Sequence, residues 1–376
     1  MYSSMDIIGY VQEYGSQTFE QRPFCEVDAL IISQFSYMKW DRIVPNITLE
    51  FVTDRDKSAV ATVPITVKEM YEKADPEYVY LQDINAEKNG LLLKAMADSI
   101  RFAGMKCNYM VSKSDEQTVL QFCAMVCRPE NALPVVVFRG TDGTLVGWKE
   151  NLYMAFSRPV PGQIMASQYL RMVTELFTDD FVVTGHSKGG NLATFAAMSV
   201  PEVQDRIVAV YSFDGPGFRP EILEEYNYAA ISDRVHKYMP RESIVGILLE
   251  GCMDYTTVKS EALGGAIAHI PYKWIVQEGS FVKEEQLRKY SQIMHESVIE
   301  WVMELDDEQL SLVINTLFEI LQASDNSKLK GILVDWKNSS KSMFKAAVGV
   351  DKETRRKILK IMKALIEVIY KTYMES

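Results

Sequence analysis

Histidine and cysteine are both scarce: four histidines and five cysteines are spread over 376 residues. The cysteines, Cys25, Cys107, Cys123, Cys127 and Cys252, form no Cys-x-x-Cys pair, and the histidines are equally scattered. Zinc sites and redox dithiols need closely spaced ligands, so no metal is expected and the thiols read as reduced and mostly buried. Positive charge is not in excess either. Forty Lys and Arg stand against 51 Asp and Glu, a net charge of -11. A nucleic-acid partner requires a basic face, so none is expected. No apolar run approaches the roughly 18 residues of a membrane-spanning helix, so no transmembrane segment is expected. The first residues, "MYSSMDIIGYVQEYG", lack a basic region ahead of an apolar run. A signal peptide is therefore not expected, and the cytoplasm is the expected location. Phosphate-cradling loops are missing as well. "SKGG" is not preceded by the spacing of a P-loop, and "GPGFRP" lacks the third glycine of a dinucleotide fingerprint, so no cofactor is expected.

What is present is a globular composition: 47% hydrophobic and 24% charged residues allow a sizeable core. Neither a repeat nor a low-complexity tract interrupts it. Residues 1–130 read as a mixed entry portion, with helices over Glu26–Met38, Thr66–Ala74 and Glu87–Gly104 and a strand over Thr118–Cys127. From Leu133 the pattern changes. "LPVVVFRG", "DFVVTG" and "RIVAVYSFDG" are β-branched runs ending in Gly140, Gly185 and Gly215, and "DRVHKYMP" is a weaker fourth. Helical patterns at Gly162–Phe177 and Asn191–Met198 lie between them. Such runs alternating with helices mark strands of a parallel sheet buried on both faces. Ligands of these sheets bind beyond the carboxyl ends of the strands. Residues 1–282 are expected to form this domain. Residues 283–376 are expected to be a helical C-terminal region packed on it, because apolar residues there recur at three- and four-residue spacing.

The carboxyl end of one strand carries Gly185-His186-Ser187-Lys188-Gly189. This matches the G-x-S-x-G elbow, in which a strained turn presents a serine between a strand and a helix. The apolar strand before it and "NLATFAAM" after it are the context the motif needs. Ser187 is the candidate nucleophile, and the competing reading is a simple strand–helix corner. A nucleophilic serine needs donors for the oxyanion. The backbone amides of Thr141, after "VVVFRG", and of Lys188 are the candidates. Among the four histidines, His186 adjoins the serine, His236 lies within a strand and His295 within a helical pattern. His269 follows the last strand and completes the order Ser…acid…His, so it is the candidate base. Asp214, at the end of "IVAVYSFDG", is the first candidate for the acid and Glu242 the alternative; Asp254 ranks lower. Asp214 also reads as a turn residue before Gly215-Pro216. Gly264-Gly265, ahead of His269, is expected to give that loop backbone freedom, as either a gate or an ordinary loop.

"FRGTDGTLVGW", "TGHSKGGNLA" and "SFDGPGF", with "DYTTVKS" and the histidine before "PYKW", resemble a bacterial family of lipase-like α/β-hydrolases whose substrates are unassigned. The resemblance runs from "FEQRPFCEVDALIISQFSY" over nearly the whole chain. More distantly the chain is similar to class-three triacylglycerol lipases. The resemblance implies an α/β-hydrolase fold, a mostly parallel central sheet flanked by helices, with Ser187 as nucleophile, Thr141 in the oxyanion hole and His269 as base. There are two departures. Asn151 stands where those lipases carry an Asp three residues after the tryptophan, and Ser243-Ile244-Val245 replaces their late-strand D-I-V. The second departure favours Asp214 over a later acid. The function expected on this reading is cleavage of a carboxylic ester through an acyl-enzyme, with a small-molecule acyl substrate, lipid-like ones included. A thioesterase or peptidase using the same triad stays open, as does a non-catalytic binding or scaffold protein that retains the fold. Nineteen methionines, and the Ile, Leu and Ala around Val245–Ile270, suit an adaptable apolar pocket, and core packing accounts for them equally well.

Overall fold

The valine run Val135–Phe138 is fully buried along its length, as is the whole of Phe181–His186. Only strands covered on both faces are buried at every position, and these two form the middle of the sheet. The structure, a computed structural model, describes residues 4–47, 63–80, 85–141, 150, 153–154, 159–243, 245–249, 253–262, 265–289 and 291. Eight strands lie side by side in chain order: β1 (Ile65–Thr66), β2 (Lys106–Asp115), β3 (Leu120–Arg128), β4 (Val135–Phe138), β5 (Phe181–His186), β6 (Ile207–Phe213), β7 (Val235–Pro240) and β8 (Thr256–Val258). β1 to β4 pair antiparallel. β4 to β8 pair parallel. A separate hairpin joins β9 (Val276–Gln277) to β10 (Ser280–Phe281). This is the α/β-hydrolase architecture.

Helices cover both faces. α1 (Ile7–Tyr14), α2 (Glu26–Phe35), α3 (Val67–Lys73) and α4 (Ala86–Asp98) share one core with Val135, Val137, Val182 and Phe213. α5 (Pro161–Glu175) and α6 (Lys188–Ser199) share the other with Val136, Phe138, Val183 and Val210. The alternation of Val135 and Val137 against Val136 and Phe138 is the two-residue period of a strand, here apolar on both sides. The entry portion is pinned by a buried ion pair. Arg101 grips Asp28 with Nη2 at 2.6 Å and Nε at 2.8 Å, and its Nη1 donates to the carbonyl of Arg22 at 2.9 Å.

Most expected elements appear within a few residues of their sequence limits, and the differences have local causes. The single helix expected over Glu87–Gly104 breaks at Ser99, whose ψ of 146 is extended and whose side chain caps the amide of Phe102. β2 was not expected. It is largely polar near its end, and its register shifts between Asn108 and Val111, with Tyr109 at φ 53. β1, β8 and the β9–β10 hairpin are too short to leave a two-residue period. Cys107, Cys123 and Cys127 are buried free thiols and Cys25 is half-buried, while Cys252 lies outside the described residues. The expected helical region 283–376 also lies outside them from residue 292 onward. Its start is tied to β7: the Arg288 amide donates to the Arg241 carbonyl at 2.7 Å. Among the described residues no helix is long and apolar enough to cross a membrane.

Candidate active site

Close approach explains the glycines of the elbow. A Cβ on Gly185 would sit 2.2 Å from the Gly189 backbone, and one on Gly189 would sit 2.1 Å from the Phe138 carbonyl oxygen. Strand β5, the first turn of α6 and the end of β4 therefore touch backbone to backbone, and any side chain at either position would force them apart. Between the glycines Ser187 adopts φ 58, ψ -133, a conformation that side chains avoid. Two hydrogen bonds hold it there. Its amide donates to the Phe213 carbonyl at 2.8 Å, and its own carbonyl accepts from the Gly190 amide at 2.9 Å. Ser187 is the N-cap of α6, so the positive end of that helix, beginning at Lys188, lies at the serine.

The same ladder brings the candidate acid alongside. Phe213 ends β6, and the next residue, Asp214, donates its amide to the Tyr238 carbonyl of β7 at 2.8 Å and stands at φ 48. Asn191 of α6 pins the loop that follows, donating to the carbonyls of Pro216 and Gly217 at 3.1 and 3.0 Å. Asp214 is fully buried. Its Oδ2 lies 2.6 Å from His269 Nδ1. Its Oδ1 accepts from Ser243 Oγ at 2.5 Å and from the Gly246 amide at 3.1 Å. A carboxylate only accepts, so Nδ1 of the neutral His269 carries the proton and Nε2 is left as the basic nitrogen.

His269 follows the short helix Gly265–Ala268, and Trp274 Nε1 holds the Ala268 carbonyl at 2.9 Å. Gly264, part of the loop expected to have backbone freedom, lies outside the described residues. Glu242, the alternative acid, is engaged elsewhere. Its Oε1 sits between Arg241 Nε at 2.9 Å and Arg288 Nε at 2.8 Å. Thr141 follows β4 and is half-buried; the rest of "DGTLVGWK" and Asn151 fall outside the described residues. Asp254 is described and exposed. His295 is outside.

Three features escaped sequence reasoning. The first is the side chain of Lys188, which enters the site description only through its backbone in the sequence. It is buried, and its Nζ lies 2.9 Å from Glu150 Oε2 and 2.6 Å from the Gln121 carbonyl. Glu150 also accepts from the amides of Gln121 at 3.0 Å and Gly162 at 2.6 Å, the latter in the first turn of α5. One carboxylate thus joins β3, α5 and the start of α6. Nothing in "GWKEN" marks Glu150 as buried, because its cation lies on another element. Removing one member of a buried pair strands the other charge at a cost of about 3–5 kcal/mol. Glu150→Leu is expected to lower stability by about that amount in urea unfolding, with much of the loss recovered in the Glu150→Leu, Lys188→Met double variant.

The second feature is Ser243, fully buried with its hydroxyl on Asp214. The third is His186. It points at the loop of His269, with Nε2 2.8 Å from the His269 carbonyl.

These residues lie inside a recognised family region. The model of the Mbeg1-like family matches residues 96–319, more than half of the chain. The chain belongs to the Mbeg1-like family. In this Mbeg1-like chain the matched region takes in Thr141, Glu150, Ser187, Asp214, Glu242 and His269, and leaves α1 and α2 outside. No curated protein matches in sequence. Several solved structures overlap it in part. One is a triacylglycerol lipase described as having a serine-protease triad as its catalytic centre, with 17% identity, 45% of this chain and 68% of that chain covered and a TM-score of 0.30. A second is M37 lipase, with 14% identity, 74% and 80% covered and a TM-score of 0.36. A third is a lipase from Rhizopus microsporus var. chinensis, with 16% identity, 63% and 89% covered and a TM-score of 0.34.

Proposed function

We propose that this chain is a serine hydrolase that cleaves a small carboxylic ester, with residues 1–282 as the hydrolase domain. The observation that carries the reading is the buried Asp214 carboxylate 2.6 Å from His269 Nδ1, one strand away from a serine held at φ 58. Ser187 Oγ attacks the ester carbonyl carbon while its proton passes to His269 Nε2. The carbonyl π electrons move onto oxygen, which the amides of Thr141 and Lys188 stabilise. Asp214 holds the imidazole in the required tautomer and stabilises the imidazolium without taking its proton. The tetrahedral intermediate collapses, the carbon–oxygen bond to the leaving group breaks, and His269 returns the proton to that oxygen to release the alcohol. Water, deprotonated by His269, then attacks the acyl-serine; the bond from the acyl carbon to Oγ breaks, His269 returns the proton to Oγ, and the acid is freed.

A series of p-nitrophenyl esters of increasing acyl length tests this. Saturable turnover is expected that falls to background in Ser187→Ala and after treatment with a fluorophosphonate. Turnover that survives both treatments would take the nucleophile away from Ser187, and no turnover at any acyl length would leave the thioesterase, peptidase and non-catalytic readings in its place.

A further inference from the structure

We infer that His186 and Tyr37 form a positioning brace for the base, a role that rests on His269 being the base. The His269 carbonyl can only accept, so the 2.8 Å contact requires a proton on His186 Nε2. Neutral His186 then has an accepting Nδ1, and the Tyr37 hydroxyl lies 3.0 Å from it. The same hydroxyl is 3.2 Å from the His186 carbonyl oxygen. Tyr37 follows α2, His186 ends β5 and His269 belongs to the loop after β8, so two side chains connect three elements. The brace reaches the oxyanion side as well, since a Cβ on Gly140 would meet the Tyr37 hydroxyl at 2.0 Å and the His186 carbonyl oxygen at 2.7 Å. The turn at Gly140-Thr141, the nucleophile's neighbour and the base are thereby set against one another by a single phenol and a single imidazole.

The arrangement asks His186 to stay uncharged. It is 4% exposed, and its ring lies 4.5 Å from that of His269 at 33°. Burial, and next the charge on His269, push its pKa well below the usual histidine range. A second cation at that distance would oppose the imidazolium that forms on His269 during attack. A neutral ring leaves room for that charge and still donates through Nε2. Nothing in the elbow motif itself requires a donor at this position, because the residue before the serine does not enter the reaction.

Variants at position 186 separate bracing from bulk. Glutamine places an N–H near the former Nε2, whereas phenylalanine keeps the ring and loses the donor. A misplacement of about 1 Å costs about 10²-fold in turnover. His186→Phe is expected to lose between about tenfold and 10²-fold in kcat at unchanged KM on the best p-nitrophenyl ester, and His186→Gln to stay within about threefold of wild type. Tyr37→Phe is expected to lose less than His186→Phe, in kcat alone. A second readout needs no turnover. In histidine-labelled protein the proton on His269 Nδ1 should resonate alike in wild type and His186→Gln, and shift or exchange faster in His186→Phe and Tyr37→Phe. If wild type hydrolyses no ester, the hydrolase reading fails and the resonance still decides the brace. Unchanged kcat and an unchanged resonance in folded His186→Phe would overturn it. If that variant does not fold, an unchanged resonance in Tyr37→Phe would do the same.

Discussion

Ser187→Gly is expected to abolish hydrolysis and stabilise the protein at the same time. The chemical half follows from the mechanism: without Oγ no acyl-enzyme forms, and removing the nucleophile of a serine protease costs about 10⁶ in turnover. The structural half follows from φ 58, ψ -133, where a side chain is strained by about 1–3 kcal/mol and glycine is not. Glycine in exchange loses about 0.5–1 kcal/mol through the freedom of the unfolded chain. The net expectation is a gain on the order of 1 kcal/mol in urea unfolding. Ser187→Ala keeps the Cβ and the strain, so its stability should match wild type while its activity is equally lost. A serine that merely turned a corner would have no reason to sit at a position glycine fits better. Equal stability of the glycine and alanine variants would remove the strain argument, whatever the kinetics show.

Asp214→Asn is expected to lower turnover by about 10⁴, as the corresponding change does in a serine protease, while Glu242→Gln leaves it near wild type. Asp214 Oδ2 is 2.6 Å from the imidazole. An amide there either presents its NH2 to Nδ1, forcing the wrong tautomer, or gives up the charge that stabilises the imidazolium. Ser243 and Gly246, which donate to Oδ1, would hold the replacement in place, so the fold should survive. Glu242 is occupied by Arg241 and Arg288. Its loss should appear as a change in stability and not in kcat. Thermal melts of both variants, run beside the kinetics, separate the two effects, and the reverse ranking would move the acid to the end of β7.

How much of this was legible in the sequence depends on how local each feature is. The strands β4 to β6 were readable because β4 and β5 are buried on both faces and β6 is exposed only at Val208, so each carries a β-branched apolar run closed by a glycine within two residues of its end. The elbow was readable because its glycines answer to contacts within five residues and at the end of one strand. β2 was hidden because it is half-polar and bulged, and β8 because three residues carry no period. At the site, the sequence ranked Asp214 ahead of Glu242 as the acid by position and resemblance, with no contact to separate the two. Both follow a strand, and only the folded chain shows Arg288 arriving at one and His269 at the other. The Lys188–Glu150 pair and the Tyr37–His186 brace left no sequence signal. Each joins elements far apart in the chain through side chains that look like surface or linker residues when read alone.

Covalent labelling reads whether Ser187 is an activated nucleophile without knowledge of the substrate. Wild type, Ser187→Ala and His269→Ala would be treated with a fluorophosphonate and weighed intact by mass spectrometry. One adduct per chain is expected on wild type, mapped to the peptide containing Ser187, with none on Ser187→Ala and much slower labelling of His269→Ala. Labelling of Ser187→Ala at the wild-type rate, or no adduct on folded wild type, would contradict Ser187 as the nucleophile.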